Sequence, residues 1–277
     1  MQNFFIVLSF IAGTYLKTAA QELYVYTEPA SNVPAHSISA KLTGNFIARS
    51  QDEEGRVMQR YTPEIMLGVT KRLMVRAGGS FSDMHTRNFR WESAYAYAKY
   101  RFFSIDDVHK HFRMAAFADF SYSRSPFHYE ELNLKGDQSG GQVGIIATQL
   151  WNKLAVSGTA SVLHVFETVA SHHYATDPVK NAADYSVSAG YLLFPLNYTS
   201  YNQVNLNLYL EMLSQSSLDR KLSYLDMAPA LQLIFNSVSK INLGYRFQVN
   251  GNMYRMTKES WLLSFEWAFL NELKKRK

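Results

Sequence analysis

The residues with the clearest chemical potential are thirteen ionisable side chains that fall on one phase of a two-residue alternation. They are Lys41, Arg49, Arg60, Glu64, Arg76, Lys99, Arg101, Arg113, Asp119, Glu211, Asp226, Arg246 and Glu266. Eight are basic and five acidic. Around one enclosed space such a set can act as rings of charge that set ion selectivity, with a weak preference for anions, or as a binding cavity. It can equally pair internally and hold the surrounding walls in register.

Other reactive groups are sparse. There is no cysteine, which excludes disulfides, thiolate metal ligands, iron–sulfur clusters and a thiol nucleophile. His109 with His111, and His172 with His173, offer imidazole pairs to a transition metal, but each lacks an evident third ligand and reads equally well as solvated loop histidine. His164 shares a face with Val162 and Phe166, opposite to the charged phase. A histidine there could serve as the base of a lipid-directed hydrolase, yet no serine or orienting acid can be named beside it. It could instead be an interfacial histidine reaching toward head groups. No cofactor motif and no basic nucleic-acid stripe is present.

The elements that must position these groups are strands. From Gln203 to Met212, Val204, Leu206, Leu208, Leu210 and Met212 alternate with Gln203, Asn205, Asn207, Tyr209 and Glu211. A row of Asn and Glu at that density does not suit the core of a soluble protein. The same pattern predicts twelve strands: 37–50, 57–70, 73–83, 91–104, 111–123, 141–151, 153–166, 183–194, 202–215, 224–236, 240–250 and 260–270. Pro63 and Pro229 fall within them and predict missing ladder bonds or bulges. Tyr95 and Tyr97 share the phase of Lys99 and Arg101, which leaves the register of that strand open.

Most of these strands are ten to fourteen residues long, twice the soluble norm and enough to cross a bilayer at a tilt. Their apolar phase is rich in aromatics, as in Trp261, Leu263, Phe265, Trp267 and Phe269. A charge facing hydrocarbon at the bilayer midplane costs about 2–4 kcal/mol, so the ionised phase must face inward. Connections alternate between short and long, as expected for periplasmic turns and outer loops. The implied fold is an all-β, transmembrane, antiparallel up-and-down β-barrel of about twelve strands over residues 37–270. Residues 1–20 read as a cleaved signal peptide, with an apolar run Phe4–Leu16 and small residues before Gln21. Residues 21–36 form a periplasmic extension or fold into the lumen, and 271–277 form a basic tail. The long connection Arg124–Gly140 folds inward as a gate or outward as a binding surface.

Three segments, Glu22–Ile38 (ELYVYTEPASNVPAHSI), Arg60–Val75 (RYTPEIMLGVTKRLMV) and Ala96–Ala116 (AYAKYRFFSIDDVHKHFRMAA), resemble a group of outer-membrane barrels from Bacteroidota. The resemblance implies outer-membrane residence and biogenesis through the barrel-assembly machinery, and it brings no catalytic residue or cofactor with it. Such barrels commonly end on an aromatic residue, whereas here Phe269 is followed by Leu270 and Asn271–Lys277 (NELKKRK). The partners expected are therefore outer-membrane lipid and a small polar or anionic solute, without nucleic acid. The functional alternatives are a transporter-like or channel-like barrel, a non-conducting barrel acting through its loops, and a lipid-modifying enzyme.

Overall fold

The computed structural model describes residues 24–48, 55–107, 110–125, 129–166, 179–196 and 202–273. Period-two sequence becomes twelve strands: β1 (Ile38–Ile47), β2 (Met58–Gly68), β3 (Leu73–Ser82), β4 (Arg90–Asp106), β5 (Lys110–Ser123), β6 (Gly140–Trp151), β7 (Leu154–Val165), β8 (Asn181–Phe194), β9 (Asn205–Ser217), β10 (Ser223–Phe235), β11 (Ser239–Gly251) and β12 (Glu259–Phe269). Each pairs antiparallel with its sequence neighbours, and β12 returns to β1 from Ile38↔Phe269 to Phe46↔Trp261. Closure leaves no sheet edge, so every strand finds its ladder partners within the cylinder.

Alternation sorts the two faces. Leu208, Leu210 and Met212 are exposed on the outside of β9, while Asn207, Tyr209 and Glu211 are buried inside. Trp261, Leu263, Phe265, Trp267 and Phe269 make the matching outer row of β12. Large apolar side chains thus cover the exterior and polar or ionised ones fill the interior, the inverse of a soluble protein.

The prolines interrupt the sheet on one side only. Pro63 is registered opposite Leu42 of β1, but the β2–β3 ladder jumps from Tyr61↔Phe81 to Glu64↔Gly78. Pro229 is opposite Leu210 of β9, while the β10–β11 ladder skips from Met227↔Phe247 to Ala230↔Gly244. A residue without an N–H forfeits a ladder bond, and here the register survives the loss. The open question about β4 is also resolved: Tyr95, Tyr97 and Lys99 are buried inside, and Ala94, Ala96 and Ala98 face out.

The turns β2–β3, β6–β7 and β10–β11 are tight and lie at the end where β1 begins and β12 finishes. The connections at the opposite end include the longest, residues 124–139 and 166–180.

Candidate functional site

The interior of the barrel is occupied at both levels by chain from outside the strands. A strap from Tyr24 to His36 crosses the short-turn half of the lumen. Its anchor is Glu211, wholly buried on the inner face of β9. The carboxylate accepts hydrogen bonds from three successive backbone amides, Val25 N at 2.8 Å, Tyr26 N at 3.0 Å and Thr27 N at 2.8 Å. It also accepts from Thr27 Oγ1 at 2.7 Å and Ser188 Oγ at 3.3 Å. Consecutive amides converging on one anion form a nest, which meets a buried charge with dipoles instead of a counter-ion.

Apolar and ionic contacts hold the rest of the strap. Tyr24 and Val25 pack with Leu150, Ala155, Tyr209, Ala230 and Leu262. Ala30 N donates to Thr148 Oγ1 at 2.8 Å. Glu28 pairs with Arg76, and with Lys99 at 3.0 Å. Of the two dispositions open to residues 21–36 in the sequence, the described part takes the lumenal one.

The connection between β5 and β6 enters from the long-loop end. Leu132 and Leu134 pack on Leu163, Val165, Val179 and Ala182. Gln215 clasps the loop backbone from both sides, accepting from Leu132 N at 2.8 Å and donating to Leu132 O at 2.9 Å. Glu131 meets Arg255 at 2.8 Å and Arg246 at 3.2 Å, and both arginines reach Asp226, at 2.8 and 2.5 Å. Both guanidiniums also lie over the Tyr224 ring. On the facing wall Asp137 pairs with Arg60 and His85, and Arg60 bonds Glu92 at 3.1 Å. Burial opposes ionisation of Glu131, but Arg255 and Arg246 more than offset it and hold the carboxyl below its usual range. Burial likewise opposes ionisation of Asp137, and Arg60 with His85 draws it well below.

Between strap and loop lies a cavity of about 420 Å3, lined by residues 25–28 of the strap, 131–135 and 137 of the loop, and the inner faces of the strands. Seven basic and eight acidic residues line it. The excess of bases expected from the strands is absent: Asp184 and Glu259 add acids from the strands themselves, while the strap and loops bring three acids (Glu28, Glu131, Asp137) and three bases (Lys135, Arg255, Lys258). The basis for an anion preference read from strand charges is thereby removed.

Of the thirteen ionisable residues singled out in the sequence, Lys41, Arg60, Glu64, Arg76, Asp119, Asp226 and Arg246 line this cavity. Lys41 stands opposite Glu64 on one side and Glu266 on the other, and Glu266 in turn pairs with Lys240 at 2.8 Å. Lys99 and Glu211 are buried beneath, against the strap. Arg101 and Arg113 lie lower still: Arg101 bonds Lys71 O at 2.9 Å, and Arg113 bonds Asp106 at 2.7 Å and Ser31 Oγ at 2.8 Å. Arg49 lies outside the described residues, as do His109, His172 and His173.

Several inward ions escaped the sequence reading. Asp184 and Lys240 follow the plain alternation of their strands and were legible. Glu92 was not, because a bulge pairs Ser80 with Ser93 and Phe81 with Trp91, so Glu92 and Ser93 are buried in succession. No group of three or more His, Cys, Asp or Glu residues suited to a metal ion occurs among the described residues. On the exterior, His164 Nδ1 meets Asn181 Oδ1 at 2.7 Å, and Asn181 Nδ2 donates to Asp219 Oδ1 at 2.8 Å. This orients the imidazole, and among the described residues no hydroxyl is hydrogen-bonded to it.

No family model and no curated protein sequence matches this chain. Among solved structures, an outer membrane channel from Pseudomonas putida F1 aligns over 89% of this chain and 100% of its own, at 11% identity and a TM-score of 0.56. A KdgM porin aligns over 84% of this chain and 99% of its own, at 8% identity and a TM-score of 0.47. The β domain of the Bordetella autotransporter BrkA aligns over the same shares at 8% identity and a TM-score of 0.48. At these identities the likeness is one of fold, and the fold is the closed antiparallel barrel of outer-membrane proteins.

Proposed function

We propose that this protein is a channel-like or transporter-like outer-membrane barrel that holds or passes a small polar solute, with the strap and the β5–β6 loop as closures. The observation that carries this reading is the cavity between two pieces of chain that are not part of the wall. An interior needed only for stability can be filled by side chains from the strands, as in small barrels. Here part of the filling is contributed by segments outside the sheet, which can withdraw without opening the ladder. The apolar exterior and closed sheet support insertion in lipid. The reading also places residues 1–20 as a cleaved export signal, the barrel-assembly machinery as a partner in biogenesis, and the chain among Bacteroidota-type barrels on the three segments quoted above.

The test is planar-bilayer conductance of folded protein. The full chain is expected to pass little current at neutral pH, and a variant that releases both strap and loop, Glu211→Ala with Gln215→Ala, to show discrete openings well above leak. If that variant inserts, keeps its barrel and remains silent, conduction is excluded. The paired salt bridges of Glu131 and the clasp of Gln215 would then favour the second reading, a non-conducting barrel that works through its loops. A lipid-hydrolase role has the oriented His164 in its favour, but nothing described beside it serves as a nucleophile.

A further inference from the structure

Nearly every ion of the lumen has a partner of opposite sign, which makes the exceptions informative. Lys135 lines the cavity and remains accessible within it, and it makes no ion pair among the described residues. Its own backbone N–H donates to Asn133 Oδ1 at 3.0 Å, and its ammonium lies in the field of Glu64 and Glu28 without a direct ion pair to either. On the wall formed by β5 to β8 stand two carboxylates with no direct ion pair among the described residues: Asp119, in the field of Lys135 and Arg76, and Asp184, in that of Arg246. Asp119 has one oxygen with no hydrogen-bond partner. Among the described residues Asp184 accepts hydrogen bonds from the neutral amides of Gln142 and Gln215, each at 2.8 Å.

We infer that the cavity is a seat for a small zwitterionic solute, whose anionic group meets Lys135 and whose cationic group meets Asp184 and Asp119. The inference rests on the lumenal reading above and names the solute class for it. A solute carrying only negative charge would find Lys135 but also two carboxylates that no direct ion pair neutralises. One carrying only positive charge would find the carboxylates but also the ammonium. An amphoteric molecule satisfies both, and desolvated charges left unpaired are costly enough to drive such selection. The volume suits it, since about 300–1,000 Å3 is usual for a small-molecule pocket. Burial pushes the Lys135 ammonium below lysine's usual range, with Arg76 and Lys41 adding to the shift and Glu64 and Glu28 opposing it only in part, so the ammonium gains from an incoming anion.

The experiment is calorimetric titration of the detergent-folded full chain with three probes of one size: the dipeptide alanyl-alanine, its N-acetyl form and its C-terminal amide. The dipeptide is expected to bind at least tenfold more tightly than either singly charged form. Lys135→Gln should abolish discrimination against the amide, and Asp184→Asn discrimination against the N-acetyl form. Asp119→Asn repeats the second arm should Asp184→Asn fail to fold. Equal binding of dipeptide and N-acetyl form would reduce the site to an anion seat and overturn the inference. So would the absence of binding by any probe. Binding in solution does not require current, so a barrel that binds the dipeptide yet never conducts would overturn the channel reading and leave this one standing.

Discussion

Glu211 shows how one inward side chain can control a whole segment. Its carboxylate accepts from the amides of Val25, Tyr26 and Thr27, and among the described residues it has no cationic partner in an ion pair. Truncation leaves one buried and two part-buried donors unmet. Hydrogen bonds to a charged acceptor are each worth about 1.5–3 kcal/mol, so the strap loses several kcal/mol of docking energy while the sheet keeps its ladders. Glu211→Ala is therefore expected to raise amide exchange at residues 25–27 by at least two orders of magnitude with unchanged strand protection. Loss of protection throughout the barrel would show instead that Glu211 holds the wall.

The loop acids give a pH dependence at the same scale. Glu131 and Asp137 both have folded-state pKa values below their ordinary ones, so their contribution is complete above the unfolded values near 4 and is lost as pH falls through the depressed folded values. The loop should stay docked from neutral pH to about 5 and loosen below about pH 4, as predicted from those reference values. Exchange at Leu132 N, corrected for its intrinsic rate, is the measurement; protection that grows on acidification contradicts the assignment.

At the scale of elements, the strap depends on bare backbone in the wall. A Cβ on Gly244 of β11 would lie 2.6 Å from Tyr26 Cε2 and 2.8 Å from its hydroxyl oxygen. Glycine is needed there for close approach, and its conformation is unremarkable for a strand. Gly244→Val is compatible with β11 as a strand but not with the seated Tyr26, so it should reproduce the strap release of Glu211→Ala, with a barrel at least as stable as the parent. If Gly244→Val leaves exchange at residues 25–27 unaltered, Tyr26 does not fix the strap.

This contrast also explains what was legible in the sequence. Strand positions were readable because a two-residue period repeats over ten or more residues, so Leu208 and Glu211 could be assigned to opposite faces directly. Strap and loop carry no period. Their partners lie far along the chain, Glu131 being 124 residues from Arg255, and the donors that hold the strap are backbone amides that any sequence supplies. Glu92 was lost for a different reason, a one-residue bulge that shifts the phase of β4.

For the whole molecule, the decisive property is the direction of the polarity gradient. Leu243 lies near the middle of β11, registered between Leu231 and Leu263, and all three are exposed on the outside. Asn242, one residue away, is buried inside and bonds Ser264 Oγ at 2.7 Å. In water an exposed leucine can become arginine at almost no cost. In a bilayer the same change at mid-depth costs about 2–4 kcal/mol. Leu243→Arg should therefore lower folding stability in lipid vesicles by that amount, measured by urea titration at several bilayer thicknesses, with a smaller loss in thinner bilayers where the guanidinium reaches the interface. The outer rim supplies the control: Val249→Arg, close to the end of β11, should cost at most about 1 kcal/mol by the same depth dependence. Equal costs at the two positions, or none at either, would mean that the apolar rows do not face hydrocarbon, and the inward placement of the charges would need another cause.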